Sequence, residues 1–94
     1  MAYFVLICTD KPGALQTRLA TRDAHLAYLG ATGLVRAGGA FLDGEGKPEG
    51  SMLVVETDNL EAARTLADND PYALAGVFSS VEVRPWRLAV GAFA

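Results

Sequence analysis

Runs of consecutive apolar residues alternate along this chain with stretches in which apolar residues recur every three or four positions, and each change of spacing marks an element. Tyr3-Phe4-Val5-Leu6-Ile7-Cys8 is unbroken and rich in β-branched and aromatic side chains, and it stops at the turn formers Thr9-Asp10-Lys11-Pro12-Gly13. It predicts strand one. Leu15, Leu19, Leu26 and Leu29 then repeat at helical spacing until Gly30 and Gly33, which predicts a helix from Ala14 to about Thr32. Leu34 to Leu42 predicts strand two, the polar segment Asp43 to Gly50 a hairpin loop, and Ser51 to Thr57 the returning strand.

Asp58-Asn59 offers N-cap candidates ahead of Leu60 to Ala67, where Leu60, Ala63 and Ala67 share a stripe, so a second helix is expected there. Asp70-Pro71 opens one more short turn through Ala75-Gly76. Val77 to Leu88 alternates around Val81 and Val83 as a last strand. The resulting order, β-α-β-β-α-β, is that of a ferredoxin-like α+β fold: a four-stranded antiparallel sheet with both helices on one face. Strands one and three are apolar at nearly every position, as in strands covered on both sides. A second copy of the chain, sheet against sheet in a homodimer of dimeric α+β barrel type, is the simplest cover for the face without helices.

Ninety-four residues with 51% hydrophobic and 20% charged residues describe one folded domain, 1–94, without linkers or repeats. So small a domain buries only about 60 to 70% of its unfolded surface, which also favours association. The net charge of −3 and pI near 4.9 leave no basic tract for phosphate backbones or anionic lipid, so nucleic acid and membrane are not expected partners. One cysteine and no basic, cleavable leader point to a cytoplasmic protein.

Helix one carries the chemistry. Arg22 falls inside the leucine stripe, about 20° from its first leucine, while Arg18 and His25 lie along one flank, about 60° and 80° away on the same side. A guanidinium on a buried face demands a carboxylate or an anionic ligand in a cleft, and a structural ion pair serves the first need as well as a site serves the second. His25, the sole histidine, suits proton transfer near neutral pH; an imidazole bonded to a backbone carbonyl is the plainer alternative. Asp70 is the candidate to orient it, although Asp before Pro is equally a helix cap. Ser51 starts strand three after a glycine and has a hydroxyl to offer a ligand. Cys8 reads as inert packing, and one His and one Cys 17 positions apart give no metal-ligand spacing, so no metal or cofactor is expected.

The segments Arg22-Asp23-Ala24-His25-Leu26-Ala27-Tyr28-Leu29, Ala37-Gly38-Gly39, Gly50-Ser51 and Asp70-Pro71-Tyr72 with Ala75-Gly76-Val77-Phe78, in this order, resemble the YCII-related (YciI-like) family of small ferredoxin-like dimers. The resemblance implies a histidine/aspartate-centred site at His25 and Asp70, with Arg22 and Ser51 in the pocket and Gly39 in its wall, where family members usually follow the glycine with proline and this chain has Ala40. It further implies cofactor-free acid/base chemistry of lyase or hydrolase type, including halide elimination from hydroxylated aromatics. Two functions follow as expectations. One is an enzyme in which His25 moves a proton on a small polar, anionic or hydroxylated aromatic molecule. The other is a non-catalytic dimeric module that binds a small molecule in the same pocket. A cofactor-free monooxygenase shares the fold, and no residue pattern selects it.

Overall fold

The apolar run near the start of the chain forms a central strand because side chains on both of its faces meet apolar neighbours. A computed structural model describes residues 1–93, in which β1 (Ala2–Asp10) pairs antiparallel with β3 (Pro48–Thr57) on one side and with β4 (Phe78–Trp86) on the other. The edge strand β2 (Val35–Leu42) pairs with β3, giving the sheet order β2-β3-β1-β4. Helices α1 (Leu15–Thr32) and α2 (Leu60–Asp68) connect the strands, and a single turn, α3 (Pro71–Leu74), precedes β4. The ferredoxin-like expectation is borne out, with β1, β3 and the second helix each extending a residue or more past the predicted ends.

Alternation sorts the strands into two faces. Phe4, Leu6 and Cys8 of β1 sit beside Val55, Leu53 and Ser51 of β3 and point toward the helices. With Ala63, Leu66 and Ala67 of α2 these apolar side chains make the main core, and Ala14, Tyr72 and Val77 make a second, smaller cluster near α3. The opposite face carries Tyr3, Val5 and Ile7, Met52 and Val54, and Trp86, with the charged Glu56, Glu82 and Arg84 among them, and no described helix lies over it.

Local chemistry fixes the ends. Asn59 caps α2 by accepting from the Ala62 N–H at 2.8 Å, and Gly33 ends α1 in the left-handed region at φ 67°, which costs glycine nothing. Asp43 holds the β2–β3 turn by accepting from the N–H groups of Glu45 and Lys47 at 2.8 and 3.0 Å, and these bonds keep its carboxyl below the ordinary range. No described helix is long and apolar enough to cross a membrane.

Helix α1 turns a different face to the sheet from the one its leucines predict. Leu19 and Leu26 are 51% and 46% exposed and Arg22 is exposed, whereas Arg18 and His25 are buried. The inward stripe runs Ala14, Arg18, Thr21, His25, Tyr28 and Thr32, at alternating steps of four and three. The expectation of a buried Arg22 is therefore corrected: the buried arginine is Arg18, because the polar stripe packs against the sheet while Arg22 and Leu26 sit at the exposed edge of the cavity.

Candidate functional site

His25 comes to the site from the middle of α1 and Asp70 from the N-terminus of α3. Asp70 is an N-cap: its Oδ1 accepts from the Tyr72 N–H at 2.9 Å while Pro71 begins the turn. The same carboxylate faces the imidazole, with Nδ1 of His25 at 2.8 Å from Oδ1 and 3.0 Å from Oδ2, although the two residues are 45 positions apart. Both side chains are buried. A carboxylate that already accepts a backbone N–H has only acceptors to offer, so Nδ1 carries the hydrogen and Nε2 is the free end of the ring.

Tyr72 supports the imidazole from the side. Its ring stacks on His25 with centroids 3.8 Å apart and planes 13° from parallel, and the Arg18 guanidinium carbon lies 4.6 Å from the centre of the same ring. Burial pushes the Tyr72 phenol up against the pull of Arg18 and Arg22, so it stays a neutral hydroxyl. Arg18 is in turn held by Asp10 at the end of β1, Nε donating to Oδ2 at 2.8 Å and Nη2 to Oδ1 at 3.0 Å, and Nη2 also donates to Ser51 Oγ at 2.6 Å. Burial would by itself weaken the arginine's hold on its proton; the bond and charge of Asp10 outweigh it, and the net shift is upward.

These groups border a cavity of about 350 Å³ between α1 and the β2–β3 side of the sheet, lined by Arg18, His25, Ser51 and Tyr72 with the apolar Leu26, Leu29, Val35 and Leu53. Arg22 stands at its rim, and Gly38, Gly39 and Ala40 form the wall contributed by β2. Gly38 keeps that wall close: a Cβ there would lie 2.6 Å from Leu53 Cδ2. Of the residues expected from the sequence, His25, Asp70, Ser51, Arg22 and Gly39 all come to this region. Cys8 is buried in the core, and desolvation, with Asp70 adding to it, pushes its thiol up to about 12.

Asp10 and Tyr72 have roles here that their sequence positions did not announce, and Arg18, expected on the flank beside His25, proves to be the buried arginine. Arg18 and His25 lie seven residues apart, two helical turns, and that spacing was the available signal. Asp10 meets Arg18 through the β1–α1 turn, and Tyr72 meets His25 across the fold; nothing local foretells either contact. Among the described residues, no group of three or more His, Cys, Asp and Glu converges as a metal-ligand set.

Comparison with known proteins agrees with this architecture. The YCII-related domain matches residues 2–87. A protein of Haemophilus influenzae is 37% identical over 94 residues, spanning 90% of this chain and 96% of its own, and protein YciI of Escherichia coli is 35% identical over 96 residues, spanning 89% and 95%. The structure of 5-chloro-2-hydroxyhydroquinone dehydrochlorinase from Burkholderia phenoliruptrix, in complex with 2,5-dihydroxybenzoquinone, superimposes with a TM-score of 0.85 at 30% identity, covering 93% of this chain and 95% of that one. An antibiotic biosynthesis monooxygenase shares the fold alone, at a TM-score of 0.59 and 14% identity over 96% of this chain and all of its own.

Proposed function

Because the chain belongs to the YCII-related domain family, we propose that it is a small-molecule enzyme in which His25 moves a proton with Asp70 behind it, on a hydroxylated aromatic or similarly small polar compound, with no group beyond its own side chains. The observation that carries this reading is the His25–Asp70 contact itself: two carboxylate oxygens at 2.8 and 3.0 Å from one ring nitrogen, buried behind a cavity that His25 borders. A structural histidine has no need of a buried carboxylate, whereas a base that becomes a cation during turnover does.

The chemistry follows from the tautomer. Asp70 holds the hydrogen on Nδ1, so Nε2 can take a proton from a substrate O–H or C–H, and the imidazolium that forms lies against the carboxylate. The stacked Tyr72 ring keeps the imidazole plane fixed through the transfer. In an elimination the electron pair left behind expels the leaving group, and His25 then returns its proton to solvent or to a departing oxygen. Support for an aromatic substrate comes from the dehydrochlorinase of a chlorinated hydroquinone, which shares 30% of its residues with this chain. The cavity, near the lower end of the roughly 300–1,000 Å³ typical of ligand pockets, fits a single ring.

Turnover of a panel of halogenated and unhalogenated hydroxyquinols, phenols and small carboxylic acids by wild type and His25→Ala tests the proposal. We expect at least one compound to be converted, and its rate to fall about 100-fold or more in the variant. Equal turnover in both proteins would overturn it. A ligand that binds tightly and is recovered unchanged from the wild type would favour a binding module instead.

A second copy of the chain belongs to the same reading. The helix-free face is apolar along β1 and β3 from Tyr3 through Ile7 to Met52 and Val54, with Glu82 and Arg84 beside it on β4, and in a 94-residue domain that surface is a large share of what can be removed from water. A copy of the same face is complementary to it about a two-fold axis.

A further inference from the structure

Ser51 brings a buried hydroxyl to the cavity, with its oxygen already engaged. It is 3% exposed, it borders the cavity, and its Oγ accepts from Arg18 Nη2 at 2.6 Å. A hydroxyl that accepts in this way keeps its own hydrogen to give. Among the described residues that hydrogen has no acceptor, since the Arg18 bond is the one side-chain bond Ser51 makes. Across the β2–β3 ladder its neighbour is Ala40, which offers no side-chain acceptor either.

The guanidinium behind it is fixed. Nη2 has two hydrogens, one directed to Asp10 Oδ1 at 3.0 Å and the other to Ser51, while Nε is bound to Asp10 Oδ2. Asp10 thus balances most of the arginine's charge and anchors its plane, and Arg18, which itself lines the cavity, also acts on it through the serine. A hydroxyl whose oxygen accepts a charge-assisted bond is polarised toward donation, and donation strengthens as negative charge builds on its acceptor. That is the behaviour required of a preorganised donor aimed at a developing oxyanion.

We infer that Ser51, polarised by Arg18 and Asp10, is the oxyanion-binding donor of this cavity and takes the phenolate or enolate oxygen of the substrate that His25 deprotonates. The inference rests on the acid/base reading of His25. The step balances: the substrate proton passes to Nε2, the electron pair it leaves is delocalised onto the substrate oxygen, and the Ser51 O–H donates to that oxygen. Arg18 and Asp10 are positioning residues in this scheme.

Binding of 4-nitrophenol, whose absorption spectrum separates phenol from phenolate, tests this without turnover. In the wild type the bound probe ionises at a pH lower by about one unit than free in solution, a tenfold rise in its ionisation constant. Ser51→Ala loses most of that shift, and Ser51→Thr, which keeps the hydroxyl, retains most of it and guards against a folding defect in the alanine variant. An equal shift in wild type and Ser51→Ala, or no binding of the probe to wild type, overturns the oxyanion role. Neither result touches the His25→Ala comparison, so the two proposals fail separately.

Discussion

Asp70 accepts at once from the backbone N–H that starts α3 and from the ring of His25, so a single carboxylate ties a helix cap to the site. The roles separate by substitution. Asn places an oxygen at the Oδ1 position, where both the Tyr72 N–H and Nδ1 are bound, so Asp70→Asn keeps the cap while removing the charge that stabilises an imidazolium. We expect its stability to fall by no more than about 1 kcal/mol and its activity at least tenfold. Asp70→Ala loses about 1 kcal/mol with the cap and about 1 to 3 more by leaving the buried His25 N–H without a partner. Denaturant titration beside the activity assay distinguishes them; an Asn variant as active as wild type would reduce Asp70 to a cap. That Asp-Pro begins a short turn is readable from two adjacent residues. That the carboxylate also meets an imidazole depends on packing that no local spacing encodes.

Along α1 the sequence and the fold disagree instructively. Four leucines at helical spacing are the strongest periodic signal in the segment, yet Leu19 faces outward, Leu26 sits half-exposed at the cavity edge, and the polar Arg18, Thr21 and His25 face inward. Apolar periodicity marks the face that hydrophobicity alone would bury, whereas a helix that borders a polar cavity turns a second, chemical face to its own sheet. Strands carry no such ambiguity, and β1, β3 and β4 follow their patterns. A pair of variants measures the difference between the two arginines. Arg18→Met strands the Asp10 carboxylate, whose side chain is only 6% exposed, and is expected to cost about 3 to 5 kcal/mol. Arg22→Leu, on the exposed rim, is expected to change stability by no more than about 0.5 kcal/mol. Thermal melting of the two side by side checks this, and the reverse order would mean that Arg22 carries the buried charge.

At the scale of the whole molecule, the order of elements and the turn residues between them were enough to reach the sheet topology, because a β-α-β-β-α-β chain with one apolar sheet face has few ways to bury it. The partner for the other face is an expectation that the single chain leaves open to measurement. Sedimentation at micromolar concentration should give twice the 9.9 kDa chain mass, with about 1,600 Å² or more buried between copies. Met52→Glu places a charge at 42% exposure in the middle of that face and should shift the protein toward monomer while leaving its circular dichroism intact. A 9.9 kDa species for the wild type would refute the dimer.

The position of Cys8 in the central strand makes the molecule its own clock for opening. Set in the central strand with its side chain under the helices and 2% exposed, the thiol can meet a reagent only when the helices lift from the sheet or β1 parts from its neighbours. Modification by a disulfide reagent at pH 8 should therefore proceed at the rate or population of that separation, many times slower than for an unfolded control, and rise steeply with denaturant. Alkali should work the same hinge from the other side. Below about pH 9 the thiol is neutral in both states; as pH climbs from the ordinary 9.0 toward about 12, the unfolded chain gives up a proton that the folded chain retains, and the balance moves toward the open form. Replacing the thiol with alanine should remove the sulfur's share of that alkaline loss and leave the share of Tyr28 and Tyr72, whose phenols burial also pushes up.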